Sequence, residues 1–388
     1  MKEIFTPFNP WWHTSYNTKS ITRTKYIQKL KTLLSTKDII ILTGLRRVGK
    51  TTILHQLIEH LLQSVSKNHI FYISLDLLSI KNITIYEIIQ EYRSIQKIKM
   101  QEFIYVFLDE ITAKEHFQQE LKNLYDLGNC KIFVSSSSAT KLKDTHAYLT
   151  GRARYIEIEP LDFAEFLEFR NYKISPDNSQ LYKPYFEEYM EFGGIPEYVL
   201  QKDPTYISDL TRTIILKDIV AKYGIRNTEA LFDLFKLLIE RVGKPLSYTR
   251  ISNILNISVD SVQTYISYFL ETYLFYQIDI VGKLNERIKG PKKLYAGDVG
   301  LKNVTHGFKD KGAIYENLVF LKIKSETKEF IHFLYKDGIE IDFCYGDTLI
   351  EAKFGQEMTD KQQKLFDSFK AKNKIIASGV EFFLEKEE

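Results

Sequence analysis

The sequence predicts an α/β protein that begins with a parallel sheet, continues with helices and ends with a smaller α/β domain. Three observations predict this order. Short apolar runs of strand type, such as residues 38–43, precede segments with helical apolar spacing, as in parallel strands joined by helices. Residues 162–242 have a mainly helical pattern. Residues 301–388 then combine an amphipathic helix with several strand-like runs.

Composition limits the class of protein. The 388 residues allow two or three domains, and a net charge of +3 neither requires nor excludes a polyanionic partner. Cys130 and Cys344 lie in apolar runs and are too few for a disulfide framework, so we expect reduced core residues. No apolar run reaches the roughly 18 residues of a membrane span, and the start lacks a signal-peptide pattern. These features predict a cytoplasmic protein without a membrane partner.

A glycine-bounded loop between a strand and a helix is the strongest signal in the chain. The apolar run 38–43 is followed by Gly44-x4-Gly49-Lys50-Thr51, and apolar residues then repeat at helical spacing to residue 62. This order of strand, loop and helix is the context in which such a loop binds nucleotide phosphates. The predicted nucleotide-binding residues are Gly44, Leu45, Arg46, Arg47, Val48, Gly49, Lys50, Thr51 and Thr52.

Each residue type in this loop has a physical role. Glycines allow the backbone N–H groups to point at phosphates, and the helix that follows adds the positive end of its dipole. Lys50 is predicted to reach the β- and γ-phosphates, and the Thr51 hydroxyl to ligate Mg²⁺. The predicted ligands are therefore ATP and Mg²⁺.

A second motif supplies the acids that such a site needs. The apolar run 103–108 ends in Asp109 and Glu110. We expect Asp109 to hold Mg²⁺, directly or through water, and Glu110 to polarise the attacking water. The alternative is a helix N-terminus with ordinary acids, which are common at that position.

Two further strand-like runs, 69–76 and 130–140, fit the same sheet. The second ends in serines, and Ser135 or Ser136 is a candidate for contact with the γ-phosphate or the water. The alternative is a plain serine-rich turn.

Arg152 and Arg154 follow this region. Either is a candidate arginine finger that acts on a neighbouring subunit. A surface arginine that pairs with an acid is the alternative, so oligomerisation remains open.

Several segments together resemble a family of archaeal and bacterial AAA+ ATPases with a largely uncharacterised C-terminal domain. They are "NPWW" (9–12), "GLRRVGKTT" (44–52), "LDEI" (108–111), "SSSSATKL" (135–142), "LTGRARYIEIEPLDFAEFLEF" (149–169) and "FGGIPEYVL" (192–200). Family members usually have Thr-Gly-Ser-Ser where this chain has four serines, 135–138. Trp11 and Trp12 could contact the nucleotide base, but we expect them to clamp the N-terminal arm to the core.

The middle of the chain resembles two known modules. Residues 162–242 resemble the helical lid of AAA+ proteins, with Gly193, Gly194 and Pro196 as a hinge or a simple interhelix turn. Residues 245–280 have the order helix, turn, helix, strand and resemble a winged helix-turn-helix. Ser258 is predicted to cap its second helix. The residues predicted to face inward are Val262, Ile266, Phe269, Leu270 and Tyr273.

The winged helix-turn-helix suggests DNA as a partner, but the second helix has no Lys or Arg. The basic wing that follows, residues 283–293, carries Lys283, Arg287, Lys289, Lys292 and Lys293. We therefore expect DNA contact through this wing, with little sequence specificity. The alternative is a winged helix used for protein contacts or domain packing.

The C-terminal segment combines a helix with strand-like runs that carry acids and a lysine. The helix over 314–325 carries Glu316, and the strand-like runs that follow, with turns at 337–338 and 346–347, carry Asp342 and then Glu351-x-Lys353. This order resembles the pattern of the PD-(D/E)xK nucleases. The resemblance implies Mg²⁺ or Mn²⁺ on Asp342 and Glu351, Glu316 completing the shell, and Lys353 acting on the water. The alternatives are ordinary surface acids, an inactive relic, or a site that only binds DNA.

Together these patterns predict four regions and one leading function. The regions are the arm and P-loop ATPase core (1–161), the helical lid (162–242), the winged helix-turn-helix (243–300) and a restriction-endonuclease-like domain (301–388). The leading function is Mg²⁺-dependent ATP hydrolysis of AAA+ type, acting on or with DNA. The alternatives are an ATP-regulated metal-dependent DNA nuclease and a nucleotide switch that binds a protein partner.

Overall fold

The computed structural model describes residues 1–138, 146–174 and 176–384. The chain forms two compact units, one from residue 1 to 158 and one from residue 159 onward. The ends of the predicted 130–140 run and of the 135–142 motif lie outside the described residues. No helix in the described part of the chain is both long and apolar enough to cross a membrane.

The first unit contains a parallel sheet whose strands are connected by helices. Its strands are β1 (Ile39–Thr43), β2 (Ile70–Ser74), β3 (Ile104–Asp109), β4 (Cys130–Ser135) and β5 (Ala153–Glu157). Its α-helices are α1 (Lys2–Phe5), α2 (Thr24–Thr32), α3 (Lys50–Leu61), α4 (Ile85–Gln96), α5 (Phe117–Leu127) and α6 (His146–Leu149). Short 3-10 turns cover Thr6–Phe8, Pro10–Trp12, Lys67–His69, Leu78–Ile80 and Ile111–Ala113.

The strand order places the predicted motifs next to one another. The order is β2-β3-β4-β1-β5, and every neighbouring pair is parallel. Strand β4 therefore lies between β1, which leads into the phosphate loop, and β3, which ends at Asp109. Since the strands run in the same direction, the residues at their carboxyl ends meet at one edge of the sheet. The predicted α/β class with a parallel sheet is confirmed.

The N-terminal arm covers β2, the edge strand of this sheet. The Asn9 amide donates to the Tyr72 carbonyl at 2.9 Å and accepts from the Tyr72 N–H at 2.8 Å, so a side chain replaces a missing strand. The indole N–H groups of Trp11 and Trp12, both buried, donate to the Ile70 carbonyl at 3.2 and 3.1 Å. Edge strands otherwise leave such groups unpaired. The predicted clamp is confirmed.

The second unit combines helices with a sheet. Its α-helices are α7 (Phe163–Phe169), α8 (Tyr182–Phe192), α9 (Pro196–Gln201), α10 (Pro204–Thr213), α11 (Ala221–Tyr223), α12 (Thr228–Glu240), α13 (Tyr248–Leu255), α14 (Val259–Glu271), α15 (Leu284–Lys289), α16 (Val299–His306), α17 (Lys311–Glu326) and α18 (Asp360–Ser368). Ile214–Val220 is π-helical, and Pro176–Leu181 and Val380–Phe383 are 3-10 turns.

The sheet of the second unit has the order β11-β10-β9-β8-β6-β7. Its strands are β6 (Phe275–Ile280), β7 (Lys292–Ala296), β8 (His332–Lys336), β9 (Ile339–Tyr345), β10 (Thr348–Lys353) and β11 (Asn373–Ser378). The hairpin β6–β7, predicted as the wing, is therefore joined to the strands predicted as nuclease-like. The regions predicted as lid, winged helix and nuclease-like domain all lie in this second unit, and the boundary predicted at residue 300 crosses its sheet.

The Gly193–Gly194 pair sits at a close backbone approach in the second unit. Gly193 has φ +71°, and a Cβ there would lie 2.2 Å from Asp298 Oδ1. A Cβ on Gly194 would lie 2.2 Å from the Leu161 carbonyl oxygen. The Gly194 N–H donates to Asp298 Oδ2 at 2.7 Å. This packing favours the interhelix turn over the hinge.

The helix-turn-helix has the predicted internal contacts. Ser258 caps α14, because its hydroxyl accepts from the Ser261 N–H at 3.0 Å. Of the residues predicted to face inward, four are buried and Leu270 is half-buried. The exposed side chains of α14 include Gln263 and Thr264. Cys130 and Cys344 are both free thiols, as predicted.

Candidate nucleotide site and acid cluster

The phosphate loop joins the end of β1 to the start of α3. Gly44 has φ +127°, and a Cβ there would lie 2.2 Å from the Ile158 carbonyl oxygen, so only glycine fits. Gly49, with φ +98°, precedes the first residue of α3. Lys50 is buried, and its ammonium donates to the Gly44 and Leu45 carbonyls, each at 2.8 Å. The lysine thus lies within the loop at the positive end of the helix.

The carboxylate of Asp109 is the centre of the hydrogen-bond network beside this loop. The hydroxyls of Thr51 and Tyr72 donate to Asp109 Oδ2 at 2.7 and 2.8 Å, and the Ser135 hydroxyl donates to Oδ1. The structure therefore brings the two predicted magnesium ligands, Thr51 and Asp109, into direct contact. Burial and the nearby Asp109 carboxylate raise the pKa of Tyr72, so its hydroxyl remains a donor at neutral pH.

Glu110 and the serine run lie at the same edge. Glu110 has φ +51°, and its N–H donates to the Ser135 hydroxyl at 3.1 Å. The Ser137 hydroxyl lies 3.4 Å from Glu110 Oε2 as a weak donor. Ser136, the other sequence candidate, donates to the Ser138 carbonyl at 3.3 Å. Ser135 thus contacts the Asp109 carboxylate and the Glu110 backbone N–H. Ser137, which was not a sequence candidate, is the serine beside the Glu110 carboxylate.

Both candidate arginine fingers pair with acids of their own unit. Arg152 lies 3.5 Å from Asp126, and Arg154 forms an ion pair with Asp38. The Arg152 carbonyl accepts from the Ile39 N–H, so Arg152 lies at the start of β1 rather than at its phosphate-loop end. The structure therefore does not bring Arg152 to the phosphate loop of its own chain. Its action on a neighbouring subunit remains a prediction.

In the second unit, four acidic side chains come together with Lys293 and Lys353. The four acids, which we call the acid cluster, are Glu316, Glu340, Asp342 and Glu351. Lys293 on β7 is fully buried among them. Its ammonium lies 3.1 Å from Glu316 and 3.4 Å from Asp342, and it also pairs with Glu340.

The Glu351 carboxylate is held by a different set of donors. Lys353 pairs with it at 2.8 Å, and the Gln362 amide donates to it at 3.1 Å. The Asp342 N–H donates to Glu351 Oε2 at 3.2 Å, while the Ala352 N–H donates to Asp342 Oδ2 at 3.0 Å. The structure therefore brings Glu316, Asp342, Glu351 and Lys353 together, as the PD-(D/E)xK resemblance implied.

Electrostatics in the acid cluster follow from burial. Burial and the Asp342 charge raise the pKa of Glu316 to about 8, and the same causes raise the pKa of Glu351 to about 7. Burial opposes the charge on Lys293, but the surrounding carboxylates raise its pKa above the ordinary lysine value. Across residues 1–138, 146–174 and 176–384, no group of three or more His, Cys, Asp or Glu side chains is arranged to hold a metal ion.

Comparisons with known proteins agree with the geometry of the first unit. The family described as "AAA domain" matches residues 36–167, and "Domain of unknown function (DUF8612)" matches residues 183–312. The uncharacterised protein MJ1544 of Methanocaldococcus jannaschii is 30% identical over 349 residues, which are 84% of this chain and 77% of MJ1544. The chain belongs to the MJ1544 family.

The N-terminal part of the chain is a P-loop ATPase domain of the AAA kind, and the chain is also similar to a bacterial protein. An uncharacterised protein of Haemophilus influenzae is 29% identical over 389 residues, 92% of this chain and 93% of that protein. Among solved structures, AMPPCP-bound DnaA from Aquifex aeolicus is 17% identical, with a TM-score of 0.30, over 67% of this chain and 92% of DnaA.

Outside the AAA domain, the structure changes the expected basic wing. Lys293 is enclosed by the acid cluster, and Lys292 is buried against Asp279 at 3.0 Å and the Arg287 carbonyl. Lys283 and Lys289 remain exposed, and Arg287 is half-buried. Two of the five basic side chains predicted to contact DNA are therefore buried and cannot reach a polyanion, because β7 is part of the sheet rather than a free wing.

Sequence analysis missed several residues that the fold brings to these sites. Tyr72 lies on the edge strand beside the AAA domain's acid motif, and Lys293, Tyr295 and Gln362 contact the acid cluster. Lys293 was expected in the DNA-contacting basic wing rather than at the acid cluster, and the other three residues were not assigned a role. Each reaches its partner only through strand pairing or helix packing. The alternation of Lys292 and Lys293 on a strand was the one available signal, because adjacent strand residues point to opposite faces.

Proposed function

We propose that the protein binds Mg²⁺–ATP at residues 44–52 and hydrolyses it, with Glu110 activating water. One observation carries this proposal: the Thr51 hydroxyl and the Asp109 carboxylate meet at 2.7 Å, at the N-terminus of α3 and beside Lys50. These are two hard oxygen ligands of the kind that Mg²⁺ prefers. The donor set therefore fits the ion.

The side chains have separate roles in the proposed reaction. Loop N–H groups and the α3 dipole favour the phosphates, and Lys50 would exchange its carbonyl partners for phosphate oxygens. Mg²⁺, held by Thr51 and Asp109, would neutralise charge on the phosphate oxygens. Ser135 and Tyr72 orient the Asp109 carboxylate through their hydroxyls. In this proposal Glu110, whose backbone N–H donates to the Ser135 hydroxyl, would accept a proton from water.

Replacing Glu110 by glutamine tests the proposal at the chemical step. The amide keeps the shape of the side chain but cannot take a proton. We expect phosphate release to fall roughly 10²–10⁴-fold, with the affinity for a fluorescent ATP analogue within a few-fold of wild type. Glu115→Gln, an exposed acid in the next loop, is the matched control. Wild-type turnover in Glu110→Gln would remove the assigned role of Glu110.

For the second unit, we propose a winged helix-turn-helix that contacts DNA with little sequence specificity. The order α13, α14 and the hairpin β6–β7 supports this, as do the exposed Lys283 and Lys289 and the half-buried Arg287. With so few cations available, few phosphates can be neutralised. The proposed DNA affinity is therefore modest.

The salt dependence of DNA binding tests this contact. We expect a plot of log Kd against log salt concentration to have a slope of magnitude about 2–3. The double variant Lys283→Ala/Lys289→Ala should lower the magnitude of this slope by about 2. Lys336→Ala, which removes an exposed lysine at the end of β8, should leave the slope unchanged. A wild-type protein without salt-dependent DNA affinity would favour the switch that binds a protein partner.

DNA cleavage by the acid cluster is a second candidate function. The convergence of Asp342, Glu351 and Lys353 with Glu316 favours it, since this is the residue set of the PD-(D/E)xK pattern. The cluster in this form does not fit a divalent metal, because the ammonium of Lys293 lies among its carboxylates. We therefore derive no metal-dependent step.

Plasmid integrity tests the cleavage hypothesis. Supercoiled DNA is incubated with protein, ATP and Mg²⁺ or Mn²⁺, alongside Lys353→Ala and the exposed-lysine control Lys336→Ala. If cleavage occurs at this site, nicking should vanish in Lys353→Ala and persist in Lys336→Ala. Intact plasmid with the wild-type protein would remove support for cleavage of DNA in this form and would favour a relic or a switch.

A further inference from the structure

We infer that Lys293 is the resident cation of the acid cluster and excludes a divalent metal ion from it. The inference is independent of ATP hydrolysis, because it concerns only residues of the second unit. It gives the cluster a chemistry different from the metal site that the sequence pattern implies.

The position of Lys293 carries the inference. Its side chain is fully buried, and its ammonium lies among carboxylates from two elements, Glu316 on α17 and Glu340 and Asp342 on β9. An ammonium has three N–H donors, so three acceptors satisfy it completely. The ring of Phe333 lies 5.4 Å from the same ammonium and closes the site on the side of β8.

Strand geometry fixes this orientation. Lys292 and Lys293 are consecutive on β7 and therefore point to opposite faces. Lys292 pairs with Asp279, a single and partly exposed acid, whereas Lys293 enters the acid cluster. The backbone of β7 is held on both sides of Lys293, because the Lys292 carbonyl accepts from the Leu246 N–H and the Leu294 carbonyl accepts from the Gly243 N–H.

Lys293 and a divalent ion would compete for the same oxygens. Mg²⁺ and Ca²⁺ need six or more oxygen ligands at about 2.0–2.6 Å, and the carboxylates of Glu316 and Asp342 already face the ammonium at 3.1 and 3.4 Å. A second cation beside a buried ammonium would also be repelled strongly at this range. Glu351 offers no separate site, since Lys353 and Gln362 hold it.

The consequence is a cluster in which each of the four carboxylates already pairs with a lysine of the chain, three with Lys293 and one with Lys353. The acid cluster joins α17 to the sheet, because Glu316 on α17 pairs with Lys293 on β7. The Tyr295 hydroxyl, also on β7, donates to Glu316 at 2.7 Å. Metal-dependent cleavage at Asp342 and Glu351 would require Lys293 to withdraw first.

Manganese binding tests the inference directly. All proteins carry Asp109→Asn, so that the nucleotide site does not contribute, and are titrated with Mn²⁺ without nucleotide, free Mn²⁺ being read by electron paramagnetic resonance. We expect no Mn²⁺ site in the acid cluster with Lys293 present. In Lys293→Gln we expect one Mn²⁺ site that Asp342→Asn abolishes, with an affinity at least roughly tenfold above any residual Mn²⁺ binding by the protein that keeps Lys293.

The controls make each outcome decisive. Lys292→Gln, the neighbouring lysine on the opposite face, should not create a site. Mn²⁺ bound to the Lys293 protein and lost on adding Asp342→Asn overturns the inference, as does a folded Lys293→Gln protein that binds no Mn²⁺. Where Lys293→Gln does not fold, Lys293→Gln/Glu340→Gln removes one carboxylate together with the lysine and is scored in the same way.

Discussion

The Lys50→Ala protein is expected to bind ATP poorly and to hydrolyse it at least roughly a hundredfold more slowly than wild type. The lysine is the one side-chain cation predicted to reach the β- and γ-phosphates, and it lies buried at the start of α3. Without it, the loop retains its N–H groups and the helix dipole but loses a full charge next to the transferred phosphate. Phosphate release and binding of a fluorescent ATP analogue measure the two effects.

A control is needed because the Lys50 ammonium also bridges the Gly44 and Leu45 carbonyls. Trp11 and Trp12 are the only tryptophans in the chain, and both lie in the first unit, so their fluorescence reports whether that unit is folded. Lys67→Ala, an exposed lysine of the same unit, should keep full activity. Wild-type hydrolysis by a folded Lys50→Ala protein would show that the nucleotide site lies elsewhere.

The second large effect is expected on stability. Lys293→Met should lower the free energy of unfolding of the second unit by about 3–5 kcal/mol, the usual loss when one partner of a buried ion pair is removed. Methionine fills most of the volume, so the loss comes chiefly from Glu316, Glu340 and Asp342 left without their cation. Unfolding in urea, followed by hydrogen exchange of peptides from α17 and β9, measures it.

Lys292→Met provides the comparison for this stability effect. The two lysines are adjacent on one strand, but Lys292 pairs with the partly exposed Asp279, so its removal should cost clearly less. Tryptophan fluorescence should not change in either variant, since both tryptophans lie in the first unit. Equal losses for the two variants would mean that the acid cluster does not depend on Lys293.

Local patterns predicted much of the geometry of the candidate nucleotide site. Gly44, Gly49, Lys50 and Thr51 are close in sequence, and a strand followed by a glycine loop and a helix leaves few ways to arrange them. The two-residue turns at 337–338 and 346–347 were also predictable, since residues 337, 338 and 346 have positive φ and include two glycines.

Contacts between segments far apart in the chain were harder to predict from the sequence. Tyr72 reaches Asp109 because β2 pairs with β3, and no spacing in the sequence indicates that pairing. Lys293 was predicted as part of an exposed basic wing, because its neighbours are cationic and its segment follows a helix-turn-helix. Pairing of β6 with β8 joins the hairpin to the larger sheet and turns the lysine inward.

The sequence alone determined the class of fold, the phosphate loop, the acid motif and the shared strand of Glu351 and Lys353, because each depends on local periodicity or on spacing along one element. Only the tertiary structure decided which charges neutralise one another. A buried lysine and a surface lysine are indistinguishable in a sequence, and their difference arises when strands far apart in the chain bring carboxylates within about 3 Å of one ammonium.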